Sequence, residues 1–315
     1  MKPIVTLTLN PAIDGAAETE KVRPIRKIRT WGERYDPGGG GINVAQVIQE
    51  LGGSAFAVYL SGGITGSLLD GLVRAAGLRS RRVPIAGETR ISYSVHEQSS
   101  DLEYRFVPEG PVVDRPEWQA CLAAVESVDC DYLVASGSLP RGVPADFYVK
   151  VEEIAERKGA KLILDTSGDA LRKAAEHGVY LIKPSLGELE DLTGLALSEA
   201  RDQEAAVRKL VASGAAQIVA LTLGRDGALL ATSNGTRRIQ GVKVTPKSAV
   251  GAGDSFLAAM TFGLAQGRDP EDAFLLAAAA GTAAVLSMGT ALLRRADVER
   301  IYEAIRQGDG VAMTS

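Results

Sequence analysis

Histidine is nearly missing from this chain. His96 and His177 are the only two in 315 residues, which leaves no material for a histidine-rich metal site or a serine triad. Cysteine is as scarce: Cys121 and Cys130 lie nine apart with no C-x-x-C, so we expect reduced thiols rather than a disulfide framework. No run of 18 apolar residues occurs, and even the richest stretch, 273–286, carries Gly and Thr, so no membrane span is expected. Gly-Lys-Ser/Thr is absent, which excludes a P-loop. The net charge of −4 argues against a nucleic-acid surface. The opening Met-Lys-Pro-Ile-Val-Thr-Leu alternates like a strand and has no signal-peptide core, so a cytoplasmic location is expected. There is no internal repeat, heptad run or low-complexity block.

What the chain does have is glycine in revealing places. In Ser248-Ala249-Val250-Gly251-Ala252-Gly253-Asp254-Ser255 the glycines precede a helical apolar pattern of Phe256, Leu257, Met260, Phe262 and Leu264. A helix start offers unpaired N–H groups and partial positive charge, which suit an anion. Asp254 places a carboxylate beside that pocket, as needed where a proton is taken from a group that then attacks a phosphate. On these residues alone a Gly-rich turn with an aspartate cap is the alternative. A second run, Pro37-Gly38-Gly39-Gly40-Gly41-Ile42-Asn43, opens a helix to about Leu51. It is not the dinucleotide fingerprint, because Val44 stands where the third glycine would fall. Four glycines cost backbone entropy, and close approach of a polyhydroxylated ligand bonded by Asn43 is a reason to keep them.

Between these runs the pattern is α/β. Residues 4–9 read as a strand ended by Asn10-Pro11, with Asp14 on a loop at its end, where such sheets contact ligands or simply turn. Residues 55–60 read as a strand and 66–76 as a helix. Lys21, Arg23, Arg26, Lys27, Arg29 and Arg34 crowd one short region, either a solvated basic edge or a flap over an anionic substrate. Segments 89–95 and 103–107 alternate as a hairpin; with 15–35 they form a small antiparallel lid, bringing Arg90 and Arg105 near Lys27 as a phosphate clamp. From 115 onward helix and strand alternate (helices 115–127, 145–158 and 169–176; strands 131–136, 161–165 and 179–182), the signature of a parallel sheet covered on both faces. Ser136-Gly137-Ser138-Leu139-Pro140 and Asp165-Thr166-Ser167-Gly168 close two of these strands on the ligand side. Lys183-Pro184-Ser185-Leu186-Gly187-Glu188 opens a helix in which Glu188 is either a cap or a ligand to a Mg²⁺-bound water. Strand 217–223 ends in the turn Gly224-Arg225-Asp226-Gly227, followed by strand 227–232, helices 270–287 and 295–306, and a fraying tail, 307–315. One α/β domain with lid segments at about 15–36 and 88–108 is the expected architecture.

The Pro37–Asn43 run, Ser136–Pro140 and Val250–Ser255, in that order and spacing, resemble the PfkB family of sugar kinases. The resemblance covers Thr6 to about Ile305 and implies a ribokinase-like fold: a mostly parallel sheet with helices on both faces and a β lid. Thr8-Leu9-Asn10-Pro11-Ala12-Ile13-Asp14, the lysine-free glycine run, Tyr104-Arg105-Phe106 and the Lys27/Arg29 pair are most similar to the phosphosugar branch, in particular 6-phosphofructokinases of the second type. What this implies is ATP-dependent phosphorylation of fructose 6-phosphate. Asp254 would be the base, with Gly251, Ala252 and Gly253 as the anion hole. Asp14, Gly39, Gly40, Asn43 and Ser138 would hold the sugar, and Arg90, Arg105 and Arg29 its phosphate. Lys27 would lie between that phosphate and the nucleotide; Lys183, Ser185, Thr222, Gly224 and Gly227 would line the ATP site, and Glu188 would organise Mg²⁺. A monovalent cation such as K⁺ near Val250 and Gly289 is a further implication, as is a homodimer formed through the lids, whose open edges invite pairing. Two departures stand out: Ser185 where the family has Asn, and Ala249 where it has Thr. 1-Phosphofructokinase and tagatose-6-phosphate kinase use the same parts and are alternatives; a catalytically weak sugar-phosphate sensor is the alternative of another class, which the intact Asp254 opposes.

Overall fold

The computed structural model describes residues 2–245, 248, 250–287 and 293–307, with the backbone of 312–313. Ala249, Gly289 and most of the tail lie outside the described residues. The chain runs β1 (Ile4–Thr8), β2 (Ala12–Thr19), β3 (Trp31–Gly38), α1 (Gly40–Glu50), β4 (Ala55–Gly62), α2 (Gly63–Ala75), β5 (Ser80–Ile85), β6 (Arg90–Glu97), β7 (Leu102–Phe106), α3 (Arg115–Glu126), β8 (Tyr132–Ser136), α4 (Phe147–Lys158) and β9 (Lys161–Asp165). It continues α5 (Gly168–His177), β10 (Val179–Ile182), α6 (Leu186–Thr193), α7 (Ala200–Ala212), β11 (Ala216–Thr222), a single 3₁₀ turn, β12 (Ala228–Thr232), β13 (Gly235–Ile239), β14 (Lys243–Val244), α8 (Ala252–Ala265), α9 (Pro270–Ala284), α10 (Arg295–Gln307) and β15 (Ala312–Met313).

Nine strands form the main sheet in the order β13-β12-β11-β10-β9-β8-β1-β4-β5. The seven from β11 to β5 pair in parallel; β12 and β13 add antiparallel at one edge. Apolar side chains on both faces feed two cores, one under α1, α8, α9 and α10, the other under α3, α4, α5 and α7. Val5 and Leu7 point to one, Ile4 to the other, as the two-residue period of a strand buried on both faces requires. Strand β5, Ser-Arg-Arg-Val-Pro-Ile, escaped the sequence reading because it is a sheet edge: two arginines and a proline replace the apolar alternation that marks an interior strand.

The lid is the second sheet, ordered β3-β2-β6-β7. Both its hairpins are antiparallel, as expected, and β2 joins them by pairing in parallel with β6. Asp14 therefore lies within lid strand β2, opposite Asp36 and Ser92, rather than on a loop after β1. Tyr35, Gly15, Tyr93 and Phe106 are in register across the sheet and share one face. A Cβ on Gly15 would lie 2.4 Å from the Tyr93 ring, so the glycine lets the aromatic row close over the strand.

Cys121 and Cys130 are buried and free, and burial pushes the Cys121 thiol up to about 12, which leaves it inert. Among the described residues no helix is long and apolar enough to cross a membrane.

Candidate active site

Every parallel strand that matters for chemistry ends on one edge of the main sheet: Thr8 of β1, Ser136 of β8, Asp165 of β9, the Lys183 that follows β10, and Thr222 of β11. That edge is where open α/β sheets bind ligands. Helix α8 starts above it. Gly251 takes the left-handed conformation (φ 74°) as its N-cap, and Ala252 begins the helix, three residues before the start expected from the apolar pattern. Asp254 thus sits in the first turn, and the amides ahead of it have no helical acceptor. A dipole end and free N–H groups form the anion site; the carboxylate stands at its rim.

Two side chains hold that carboxylate. The Asn43 amide of α1 donates to Asp254 Oδ2 at 2.8 Å, and Ser136 Oγ lies 3.4 Å from Oδ1. Ser136 Oγ is also 3.5 Å from Asp165 Oδ2, and Lys183 Nζ pairs with Asp165 Oδ1 at 3.1 Å. Burial and the Asp165 charge push the Asp254 carboxyl up to about 7, against the pull of Asn43, Lys183 and Ser136. Burial draws the Lys183 ammonium down, but Asp165, Glu188 and Asp254 outweigh it and hold it above its usual value. A Cβ on Gly253 would lie 3.6 Å from Lys183 Nζ, so a cation stands beside the anion site. Ser136 and Asp165 enter the sequence analysis only as members of strand-end turns, whereas Ser138 of the same turn as Ser136 is singled out there by the family resemblance.

A cavity of about 210 Å³ opens between lid and body, lined by Asp14, Asp36, Asn43, Gln46, Gly251 and Ser255 among others. A smaller one adjoins it through Asp14 and Val250 and is lined by Ser92, Ser94 and Arg105. Burial raises the Asp14 carboxyl, and Arg90 and Arg105 counter it. Asp14, Asn43, Gly251 and Asp254 therefore meet in one place, with Arg105 beside them. Arg90 does not open onto either cavity: its Nη2, Nη1 and Nε donate to the carbonyls of Asn10 (2.8 Å), Pro108 (2.9 Å) and Pro11 (3.4 Å). Lys27 and Arg29 are brought nowhere near. They belong to the exposed loop beyond Thr19, whose Oγ1 donates to the Arg29 carbonyl. Thr19 is seven register positions from Ala12 and Arg90, roughly 23 Å along a strand. Within this chain Arg105 lines the smaller cavity, and Arg90 stands near enough to Asp14 for its charge to act on that carboxyl. Lys27 lies apart, so the three basic groups are not brought together by one chain alone.

The four early glycines are explained by the protein itself. A Cβ on Gly40 would meet Ser136 Oγ at 2.2 Å, one on Gly41 the Leu7 carbonyl oxygen at 2.6 Å, one on Gly39 Pro11 Cα at 2.9 Å, and one on Gly38 the Asp14 carboxylate at 2.1 Å. Close approach is what the sequence suggested; the approaching atoms are β1, Ser136 and Asp14.

Ser185 and Thr222 are bridged side by side, and Thr222 bonds the Pro184 carbonyl through both N–H (2.9 Å) and Oγ1 (3.3 Å). Gly224 and Gly227 flank the 3₁₀ turn that follows. Glu188 closes a capping box: its Oε2 accepts from Ser185 N at 2.7 Å while Ser185 Oγ accepts from Glu188 N at 3.3 Å. Among the described residues no cluster of three or more metal-ligating side chains exists. A Mg²⁺ bound mainly by nucleotide phosphates and water needs only one or two carboxylates, and Glu188 Oε1, with no cap to make, fits that demand.

A carboxylate in the first turn of a glycine-capped helix, a lid over the cavity beside it and a glycine turn at the sheet edge are the parts that a phosphotransferase of small polyhydroxylated substrates needs. The chain belongs to the pfkB family of carbohydrate kinases, whose domain matches residues 9–296, and it has the ribokinase-like fold. It is 44% identical over 302 residues to the ATP-dependent 6-phosphofructokinase isozyme 2 of Mycobacterium tuberculosis, covering 95% of this chain and 89% of that protein. Phosphofructokinase-2 from Escherichia coli in complex with potassium superposes with a TM-score of 0.94 at 37% identity, over 97% of this chain and 100% of that one. The same enzyme in complex with fructose-6-phosphate gives 0.92 at 36% identity, with the same coverage.

Proposed function

We propose that this protein transfers the γ-phosphoryl group of ATP to the C1 hydroxyl of fructose 6-phosphate, giving fructose 1,6-bisphosphate and ADP. The observation that carries the reading is Asp254 in the first turn of α8, fixed at 2.8 Å by Asn43, which lines the cavity together with Asp14 and Gly251. The likeness to two proteins named as 6-phosphofructokinases supports the choice of substrate.

Asp14 and Asn43 orient the sugar so that its C1 hydroxyl lies against Asp254. As the hydroxyl proton passes to the Asp254 carboxylate, its oxygen bonds to the γ-phosphorus and the bridging oxygen leaves with ADP. The amides of Gly251, Ala252 and Gly253, with Lys183 beside them, stabilise charge on the equatorial oxygens. Arg105, with Ser92 and Ser94, receives the substrate's own phosphate. Ser185, Thr222, Gly224 and Gly227 form the nucleotide shelf, and Glu188 would hold a Mg²⁺, which would supply neutralisation of phosphate charge. The exposed Tyr35–Phe106 face of the lid pairs with that of a second copy, making a homodimer in the cytoplasm.

ADP release from Mg-ATP tests this against fructose 6-phosphate, fructose 1-phosphate, tagatose 6-phosphate and free fructose. We expect the highest kcat/KM with fructose 6-phosphate; a higher value with either other phosphosugar moves the specificity, and equal use of free fructose removes the phosphate site. Arg105→Ala is expected to raise KM for fructose 6-phosphate about 10- to 100-fold with KM for ATP little changed, as loss of a charge-assisted contact to one substrate requires. Equal effects on both constants would exclude Arg105 from the phosphate site.

A further inference from the structure

The chain crosses between body and lid four times: at β1–β2, β3–α1, β5–β6 and β7–α3. Three of these crossings meet at Asn10. Its Nδ2 donates to the Glu109 carbonyl at 2.9 Å, tying the first crossing to the last, and lies 3.4 Å from Ser138 Oγ. Its own carbonyl accepts from Arg90, which opens β6 and also bonds the Pro11 and Pro108 carbonyls. The fourth crossing touches the same point, since a Cβ on Gly39 would lie 2.9 Å from Pro11 Cα. Gly110, at φ 96°, lies so close that a Cβ there would be 2.2 Å from Asn10 Oδ1.

Asn10 is 5% exposed, and its Oδ1 is buried with no hydrogen-bond partner among the described residues. An amide with one end bonded and the other orphaned is a poor choice for stability, because the unpaired oxygen carries its full desolvation cost. Something other than stability has to favour it. Rotating the amide would face Oδ1 to the Glu109 carbonyl, acceptor to acceptor, so the donor end must point where it does.

We propose that Asn10 is a positioning residue for phosphoryl transfer: its amide fastens the lid crossings to one another and to Ser138, so that lid posture and the sugar-facing loop after β8 are set together. The proposal rests on the kinase reading above. Lid closure excludes water and completes a site of this kind, and a hinge whose crossings are bound into one node moves as a unit.

The test compares wild type with Asn10→Ala and with Asn10→Asp, which keeps the shape but removes the donor. Both variants should raise KM for fructose 6-phosphate about tenfold, with kcat and KM for ATP within about twofold. Amide hydrogen exchange without substrates should speed up about tenfold in β6 and β7 and stay unchanged in β8 and β9. A purely structural asparagine would instead change melting temperature or exchange throughout and leave the two KM values in their wild-type ratio; that result overturns the proposal. Recovery of wild-type KM and lid exchange by Asn10→Asp overturns it as well, because no donor would then be needed. If wild type itself turns over none of the phosphosugars, the kinase reading fails on its own, and the substrate-free exchange pattern still decides whether Asn10 governs the lid.

Discussion

Asp254→Asn is expected to lower kcat about 10³-fold while leaving ATP binding intact, the effect of removing a positioned base. The substitution is nearly isosteric. The Asn43 amide at 2.8 Å can still donate to an amide oxygen at this position, so geometry survives and only the proton acceptor is lost. The wild-type enzyme should show the same group in its pH profile. With the carboxyl pushed up to about 7, turnover falls as pH drops below that value and is level above it. Stability runs the opposite way. The folded pKa lies above the ordinary aspartate value of 3.8, so folding is penalised most where the group is charged, above pH 7, and the penalty fades as pH falls toward 4. The asparagine variant should therefore be more stable than wild type at pH 8, by on the order of a few kcal/mol at most, and melt higher, with the gap closing near pH 4. Kinetics across pH 5–8 and melting curves across pH 4–8 check both halves. A variant with near-normal turnover, or a profile lacking the acid limb, would remove Asp254 as the base.

Much of this site could be read in the sequence, because its strongest elements are local. Gly251, Ala252, Gly253 and Asp254 are consecutive in a helix start, and a helix start carries its own electrostatics. The strand-end turns at Ser136 and Asp165 follow from alternation of strand and helix alone. What escaped was set by pairing across the fold. Asp14 lies on a lid strand rather than a loop because β2 pairs with β6, 78 residues further on, a parallel pairing that no local pattern announces. The same register carried Lys27 and Arg29 to the far end of the lid: composition placed them among basic neighbours, but distance along β6 separates them from Arg90. Arg90 stands at the lid hinge, donating to three backbone carbonyls. A guanidinium that bonds three backbone carbonyls is indistinguishable in sequence from one that awaits a phosphate.

Gly41→Ala should lower the melting temperature by roughly 5 °C or more, although helix propensity alone favours alanine by about 1 kcal/mol. The added Cβ would stand 2.5 Å from Thr8 Oγ1, 2.6 Å from the Leu7 carbonyl oxygen and 2.8 Å from the Leu7 carbonyl carbon. These are atoms of β1, which is paired on both sides within the sheet and cannot retreat. Overpacking against a fixed neighbour costs about 1–3 kcal/mol or more, which exceeds the propensity gain. Gly71, inside α2, is the matched control: nothing lies within 4 Å of the Cβ it would acquire, so Gly71→Ala should stabilise by about 1 kcal/mol. The same chemical change thus has opposite signs in two helices of one protein. Function should separate them too. Gly41 is two residues from Asn43, whose amide fixes Asp254, so a displaced α1 lowers kcat, whereas α2 touches neither group. Thermal melts and kcat for the two variants decide the matter. If Gly41→Ala stabilises as Gly71→Ala does, α1 is not pressed against β1, and the glycine run must be explained by a ligand after all.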